Sequence, residues 1–388
     1  MNPASSRRPA WAWLSVIAVL AVVLVFGFKA LPSSKSSGGP ASRPTLPVTS
    51  TTTTVPRHGV SPSKPPAGTW PMRAIVKTGT AQDIAPTVDG VYWLTNDYDA
   101  DPRPSRTTPF RYVPDTGRVV RGPSITGTVG SPAITVTGGW VWMVVGVGED
   151  VVVEQLDTTT LAFHSRQYLP VKNNLFAPGV DPVLTATIDG PLWVAGGEDL
   201  WALNPSTGAI ETEFNTRNEI NQMSTDPTGN LLYVGAEGSE SEPVVTEYNA
   251  QTGMELKHSL LCCIDGAGVA ATIGGVWVSA VTGHFGDAYE LSANGLGQIA
   301  PSARMSSEIG GTYDQLGGVG TSVSEGTLWL TSSATPDTGV LTCADPATGV
   351  VRASESAQVM DPIASGSLLY AFYDNNLVTI TPPAKCFG

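Results

Sequence analysis

Acidic residues are missing from the first 71 positions of this 388-residue chain, and basic residues are scarce in the remainder. Residues 1–71 hold Arg7, Arg8, Lys29, Lys35, Arg43, Arg57 and Lys64, a net of +7. Residues 72–388 carry fourteen Lys and Arg against 34 Asp and Glu, a net of −20. Phosphate backbones require a basic stripe, so the larger part is excluded as a nucleic-acid partner. Histidine is also rare. His58, His164, His258 and His284 are scattered, and no two stand at metal-ligand spacing, which argues against a zinc centre or a standard hydrolase. The four cysteines, two of them adjacent, are too few for a disulfide-built scaffold but suit an oxidising compartment.

What the basic arm does contain is one long apolar run. Residues 10–28 are interrupted only by Ser15 and Gly27, and at about 1.5 Å per residue they come close to crossing a hydrocarbon core of about 30 Å. No small-x-small cleavage site follows, so the run is expected to be a retained transmembrane signal anchor rather than a cleaved signal peptide. Residues 1–9 would be a short cytoplasmic tail. Residues 29–71, rich in Pro, Ser and Thr, would be a disordered linker, and residues 72–388 an extracytoplasmic domain of a single-pass cell-membrane protein.

That domain repeats itself. The phrase Asp189-Gly190-Pro191-Leu192-Trp193-Val194 returns around Trp93, Trp142, Tyr233, Trp277, Trp329 and Tyr370, each time as a tight turn opening a strand. The spacing of about 40–50 residues is that of a propeller blade. A second phrase marks a hairpin within each unit. It is clear in Asn204-Pro205-Ser206-Thr207-Gly208, Asn249-Ala250-Gln251-Thr252-Gly253 and Asp345-Pro346-Ala347-Thr348-Gly349, and worn at residues 157–160. Asn or Asp caps such a turn and Gly accepts a positive φ. The expected fold is therefore all-β, a seven-bladed β-propeller of four-stranded blades. The last repeat lacks an outer strand, and the orphan segment at residues 73–77 is expected to supply it by pairing with residues 376–381, removing an open edge.

The paired phrases resemble the repeats of bacterial seven-bladed propellers of the YVTN, quinoprotein-like and virginiamycin B lyase-like group. The resemblance spans residues 72–388 and implies fold alone, because that group mixes enzymes with binding proteins.

Chemistry is expected where the long loops gather, at the end opposite the short turns. Asp97, Asp99, Asp101, Asp181, Glu219, Asp226 and Asp314 are assigned there, making an acidic loop face that would bind a protein or a cell-envelope ligand by electrostatic attraction. Alternate carboxylates at Asp97, Asp99 and Asp101 could hold a divalent cation such as Ca²⁺ or Mg²⁺; no other cofactor is expected. The competing class is a propeller enzyme, a lyase or a quinoprotein-like oxidoreductase, with His284, Asp287 and Glu290 as its acid/base group. Cys262, Cys263, Cys343 and Cys386 allow three pairings. A vicinal Cys262–Cys263 bridge with Cys343 joined to Cys386 is preferred, since the latter two fall in adjacent repeats.

Overall fold

The computed structural model describes residues 70–97, 105–172, 181–237, 243–260, 265–273, 275–282, 285–292, 298–304, 317–335, 338–356 and 359–387. The described strands form seven antiparallel sheets, numbered here by the chain order of their inner strands. Sheet I runs Ala81–Thr87, Gly90–Asp97, Arg106–Val113 and Arg118–Arg121; sheet II, Thr128–Thr137, Trp140–Val147, Asp150–Asp157 and Phe163–Pro170. Sheet III is Val183–Ala186, Leu192–Gly196, Asp199–Leu203 and Ile210–Asn215; sheet IV, Glu219–Thr225, Leu231–Glu237, Pro243–Asn249 and Glu255–Leu260. Sheet V is Asp265–Ala271, Gly275–Thr282, Phe285–Ser292 and Gln298–Arg304; sheet VI, Gly317–Ser324, Thr327–Thr335, Thr338–Ala344 and Val351–Ser356. Sheet VII takes Met360–Ser365, Leu368–Tyr373 and Asn376–Ile380 from the end of the domain and Met72–Lys77 from its beginning. Met72 lies opposite Ile380 and Lys77 opposite Asn376, which is the expected closure.

Each inner strand packs on the inner strand of the next sheet in circular order, from I through VII and back to I. The β-propeller fold follows from what lies between the sheets. Second-strand aromatics and their aliphatic neighbours fill successive interfaces: Trp142 with Leu192 and Trp201, Trp193 with Met223 and Leu232, Tyr233 with Val269 and Val276, and Trp277 with Leu328. All four rings are fully buried. Sheet I departs from expectation. Thr87 opposes Gly90 as Thr137 opposes Trp140, so in register the partner of Trp142 is Tyr92, not Trp93. Tyr92 faces sheet II with Val141 and Met143, while Trp93 turns back toward sheet VII with Tyr370 and Phe372. Successive strand residues point to opposite faces, and two adjacent aromatics thus serve two interfaces.

The open edge of an inner strand would leave its amides unpaired. Side chains of the preceding sheet answer several of them. Asp83 accepts from the Ile134 amide at 2.7 Å, Gln222 from Val269 at 2.9 Å, Ser224 from Ala271 at 2.9 Å and Ser324 from Ala364 at 2.9 Å. Sheets VI and VII are further fixed by a Cys343–Cys386 disulfide, Cα to Cα 5.6 Å, joining the third strand of sheet VI to a short 3-10 turn at Ala384–Phe387. Its 43-residue separation corresponds to about 4 kcal/mol of unfolded-chain entropy. The Cys386 carbonyl accepts from the Thr327 hydroxyl at 2.6 Å and from Arg352 at 2.9 Å, and Phe387 and Trp70 both pack edge-on to Trp329. Cys262 and Cys263 lie outside the described residues.

The cell-membrane placement is overturned. Among the described residues no helix is long and apolar enough to cross a membrane, and the one helical segment is the four-residue turn at Ala384–Phe387. Residues 10–28, on which the anchor was expected, and residues 29–69 of the linker expected at 29–71 lie outside the described residues; Trp70, at that linker's end, is buried against Trp329.

Candidate functional surfaces

Strand direction sorts the propeller into two ends. The inner-to-second and third-to-fourth connections share one end, here the turn end. The second-to-third and sheet-to-sheet connections share the other, the loop end.

At the turn end the repeated phrase does what its residue types allow. Asp157 accepts the amides of Thr159 and Thr160 at 3.0 and 2.7 Å, and Asn249 those of Gln251 and Thr252 at 3.0 and 2.9 Å. Asn204 and Asp345 cap their turns the same way. Gly208, Gly253 and Gly349 hold the positive φ that ends the turn, and in the worn copy Leu161 takes it instead, at φ 56, while wholly buried. The turns also latch sheet to sheet. The Tyr92 hydroxyl donates to the Thr158 carbonyl at 2.8 Å and Arg111 to Thr159 at 3.1 Å; Gln155 donates to Ser206 at 3.1 Å and the Trp277 indole to Pro346 at 2.8 Å.

Of the expected site residues, Asp226 belongs to this turn end. It is buried, and its carboxylate receives the amides of Asn230 and Leu231 at 2.8 and 2.7 Å together with the Thr228 hydroxyl. It holds the Asp226-Pro227-Thr228-Gly229 turn and does not reach the loop end. The phrase was visible in the sequence as a Pro-x-Gly turn, which is the signal that could have reassigned it.

Asp97, Asp181 and Glu219 do lie at the loop end. Asp97 closes the second strand of sheet I, exposed and opposite Arg106; Asp181 is exposed and accepts the Ser131 amide at 2.5 Å; Glu219 opens sheet IV, half-buried and engaged with neighbours. Also at this end are Glu149, Asp150, Glu198, Asp199 and Asp374, against Lys77, Arg106, Arg121, Lys172 and Arg217. Lys172 is ion-paired with Glu213, whose hydrogen bond and charge raise its pKa. Asp199 is buried and accepts the Lys172 amide at 2.7 Å. Asp99, Asp101, Asp314 and His284 lie outside the described residues, so of the expected cation ligands only Asp97 is placed. Among the described residues no group of three or more metal-ligating side chains comes together. Asp287 and Glu290 share the third strand of sheet V, opposite Ala280 and Trp277 respectively. Glu290 is therefore at mid-strand, in the register that Glu247 occupies opposite Tyr233 in sheet IV, and not in a loop.

Two carboxylates sit inside the sheets. Glu154 is buried and pushed above the ordinary carboxylate range by desolvation, which its two bonds from Arg166 offset in part. Glu247, also buried, is raised first by desolvation and again by nearby Asp226, against the lowering influence of Lys257 and Tyr233. Tyr233 is raised in turn, by burial first and then by Glu247 and Asp226.

Solved structures share this arrangement. Similarity is found to hydrazine synthase of Kuenenia stuttgartiensis (13% identity, 79% of this chain and 97% of that chain, TM-score 0.57). It is also found to the Pan2 WD40 domain of Neurospora crassa (10% identity, 81% and 95%, TM-score 0.52). A third is the WD40 domain of coronin from Toxoplasma gondii (10% identity, 81% and 87%, TM-score 0.53). The shared feature is the β-propeller fold. At these identities it extends no further. No family profile matches the chain. No curated protein matches it either.

Proposed function

We propose that this chain is a binding module, a rigid ring of seven blades that meets the basic surface of a protein or cell-envelope polymer with its loop end. The reading is carried by strand direction, which brings Asp97, Glu149, Asp181, Glu219 and Asp374 from five different sheets to one end. Carboxylates so gathered raise the local concentration of a cationic partner and speed its approach. The fold supplies rigidity: mid-strand rings, side-chain bonds between inner strands and latched turns leave the loop end free to vary without cost to the core.

The test uses a fluorescein-labelled hexalysine peptide titrated with the full chain and with a triple variant, Asp97→Asn, Glu149→Gln and Asp374→Asn. The wild type is expected to bind more tightly at low salt, and the variant about tenfold more weakly at low ionic strength, where screening is least. Equal affinity for the two proteins would overturn the reading.

A further inference from the structure

The exposed apolar side chains of this ring are gathered at one end. Among the described residues ten large ones are exposed, and all but Tyr168 lie at the turn end, on an inner turn or at the start of a fourth strand. Phe163, Ile210, Met254 and Val350 each follow an outer turn and stand at the rim. Val88, Ile188 and Ile273 lie nearer the axis. They are 92%, 59% and 79% exposed, and each takes the first position of an inner turn, in sheets I, III and V.

The turns themselves do not call for these residues. Hairpin tips favour Gly, Asn and Asp, and β-branched side chains suit them poorly. At the same position sheets II and VII carry Gly138 and Gly366, and sheet VI carries Glu325. One exposed aliphatic is ordinary on any surface; three on a single ring of hairpins, at alternate sheets, form a patch with a use.

Charge selects what the patch can meet. The seven inner turns contain no Lys, Arg or His. Asp89 follows Val88, Asp189 follows Ile188, and Glu325 tips sheet VI, which adjoins Ile273 of sheet V; all three acids are exposed. One Glu325 oxygen accepts the Gly366 amide at 3.0 Å. Arg111 comes near but gives its guanidinium to the Asp89 and Thr159 carbonyls at 2.9 and 3.1 Å. Arg118, Lys257 and Arg352 sit on fourth strands and Lys385 on the tail, away from the axis. A second copy placed turn end to turn end would set these carboxylates against their own kind, and anionic lipid headgroups would be repelled in the same way. A surface of aliphatic residues interleaved with Lys or Arg answers both features at once.

We propose that the inner turns dock an amphipathic segment of a partner protein, whose aliphatic residues cover Val88, Ile188 and Ile273 while its Lys or Arg residues face Asp89, Asp189 and Glu325. The apolar contacts supply affinity, and the flanking acids set orientation and speed the approach. This surface lies at the opposite end of the ring from the loop-end site and does not depend on it.

The experiment is fluorescence anisotropy with a fluorescein-labelled, terminally blocked Lys-Leu-Leu-Lys-Leu-Leu-Lys peptide and its Ser-for-Leu counterpart, which has the same charge. Both are titrated with the full chain, with a tip variant (Val88→Ser, Ile188→Ser and Ile273→Ser), with Asp89→Asn combined with Asp189→Asn, and with the loop-end triple variant. The altered side chains are exposed, Ser suits a turn and Asn accepts positive φ, so the variants keep the fold, which a melt verifies. The full chain is expected to bind the Leu peptide at least about tenfold more tightly than the Ser peptide. That preference should vanish in the tip variant and persist in the loop-end variant, and the double Asn variant should bind the Leu peptide about threefold more weakly at low ionic strength. Equal binding of the two peptides by the full chain, equal binding of the Leu peptide by full chain and tip variant, or no binding at all would overturn the proposal. So would a tip-dependent dimer in sedimentation velocity, which would make a second copy the occupant, or tip-dependent flotation with phosphatidylcholine vesicles, which would make it a lipid surface. Loss of hexalysine binding with the Leu preference intact would leave this proposal standing and overturn only the loop-end function.

Discussion

Glu154 and Asp157 stand three residues apart, one in the middle of sheet II and the other at its outer turn, and the fold treats their carboxyl groups in opposite ways. Burial raises the pKa of Glu154, and Arg166 recovers only part of the cost. Asp157 is lowered, chiefly by the amide and hydroxyl of Thr160. The contrast recurs in other sheets. At mid-strand in sheet IV Glu247 is raised by burial, while at the outer turn of sheet VI desolvation, the largest single influence on Asp345, is outweighed by Arg352, the amides of Ala347 and Thr348 and the Thr348 hydroxyl, which together lower it. A carboxylate in this chain is tolerated inside a sheet and put to use at a turn. The difference separates residues that fill the interfaces from residues that shape the rim.

The largest test of that division is Trp193→Ala. The ring is fully buried between sheets III and IV, so its loss is expected to cost about 3–5 kcal/mol by denaturant titration. A smaller cost would mean the sheets collapse to fill the gap. Gly253→Ala probes the rim. Its φ is 67, and an added Cβ would stand 2.6 Å from the Phe214 ring, so about 1–3 kcal/mol should be lost on the same measurement. A loss as large as that of Trp193→Ala would erase the distinction between interface and turn.

The smallest effect is in pH. Stability from a group with a raised folded pKa is complete below the unfolded value and is lost as pH rises through the folded one; that is the sign for Glu154 and Glu247. Stability from a lowered group is present above the unfolded value of about 3.9 and is lost as pH falls through the folded one; that is the sign for Asp157 and Asp345. Melting temperature should therefore peak in mild acid. Glu247→Gln should flatten the fall on the alkaline side, and Asp345→Asn the fall on the acid side. Interchanged effects would refute the assignment of the two sets.

The ring was largely legible in the sequence, because a glycine turn followed by a buried aromatic is a strong local signal and the orphan strand at residues 73–77 had no other partner. Sheet I was misread by one residue. Tyr92 and Trp93 are adjacent aromatics, and only the register between strands shows which of them faces the next sheet. Asp226 was misplaced because its loop was followed to its far end, where a proline turn already claimed the carboxylate. The apolar tips could not be read at all. Val88, Ile188 and Ile273 come from three sheets and belong together only after the ring has closed.

The strand that completes sheet VII is the first part of the domain to leave the ribosome, and it must wait for the last. Thr78 and Asn375, bonded at 3.0 Å, are 297 residues apart. At roughly 5–20 residues per second, the early strand remains without its neighbour for about 15–60 s of synthesis. Through that interval the nascent domain presents an unpaired edge, and a second unfinished copy offers the same vacancy. Exchange of this strand between neighbouring chains is the failure to which such a ring is most exposed while it is being made.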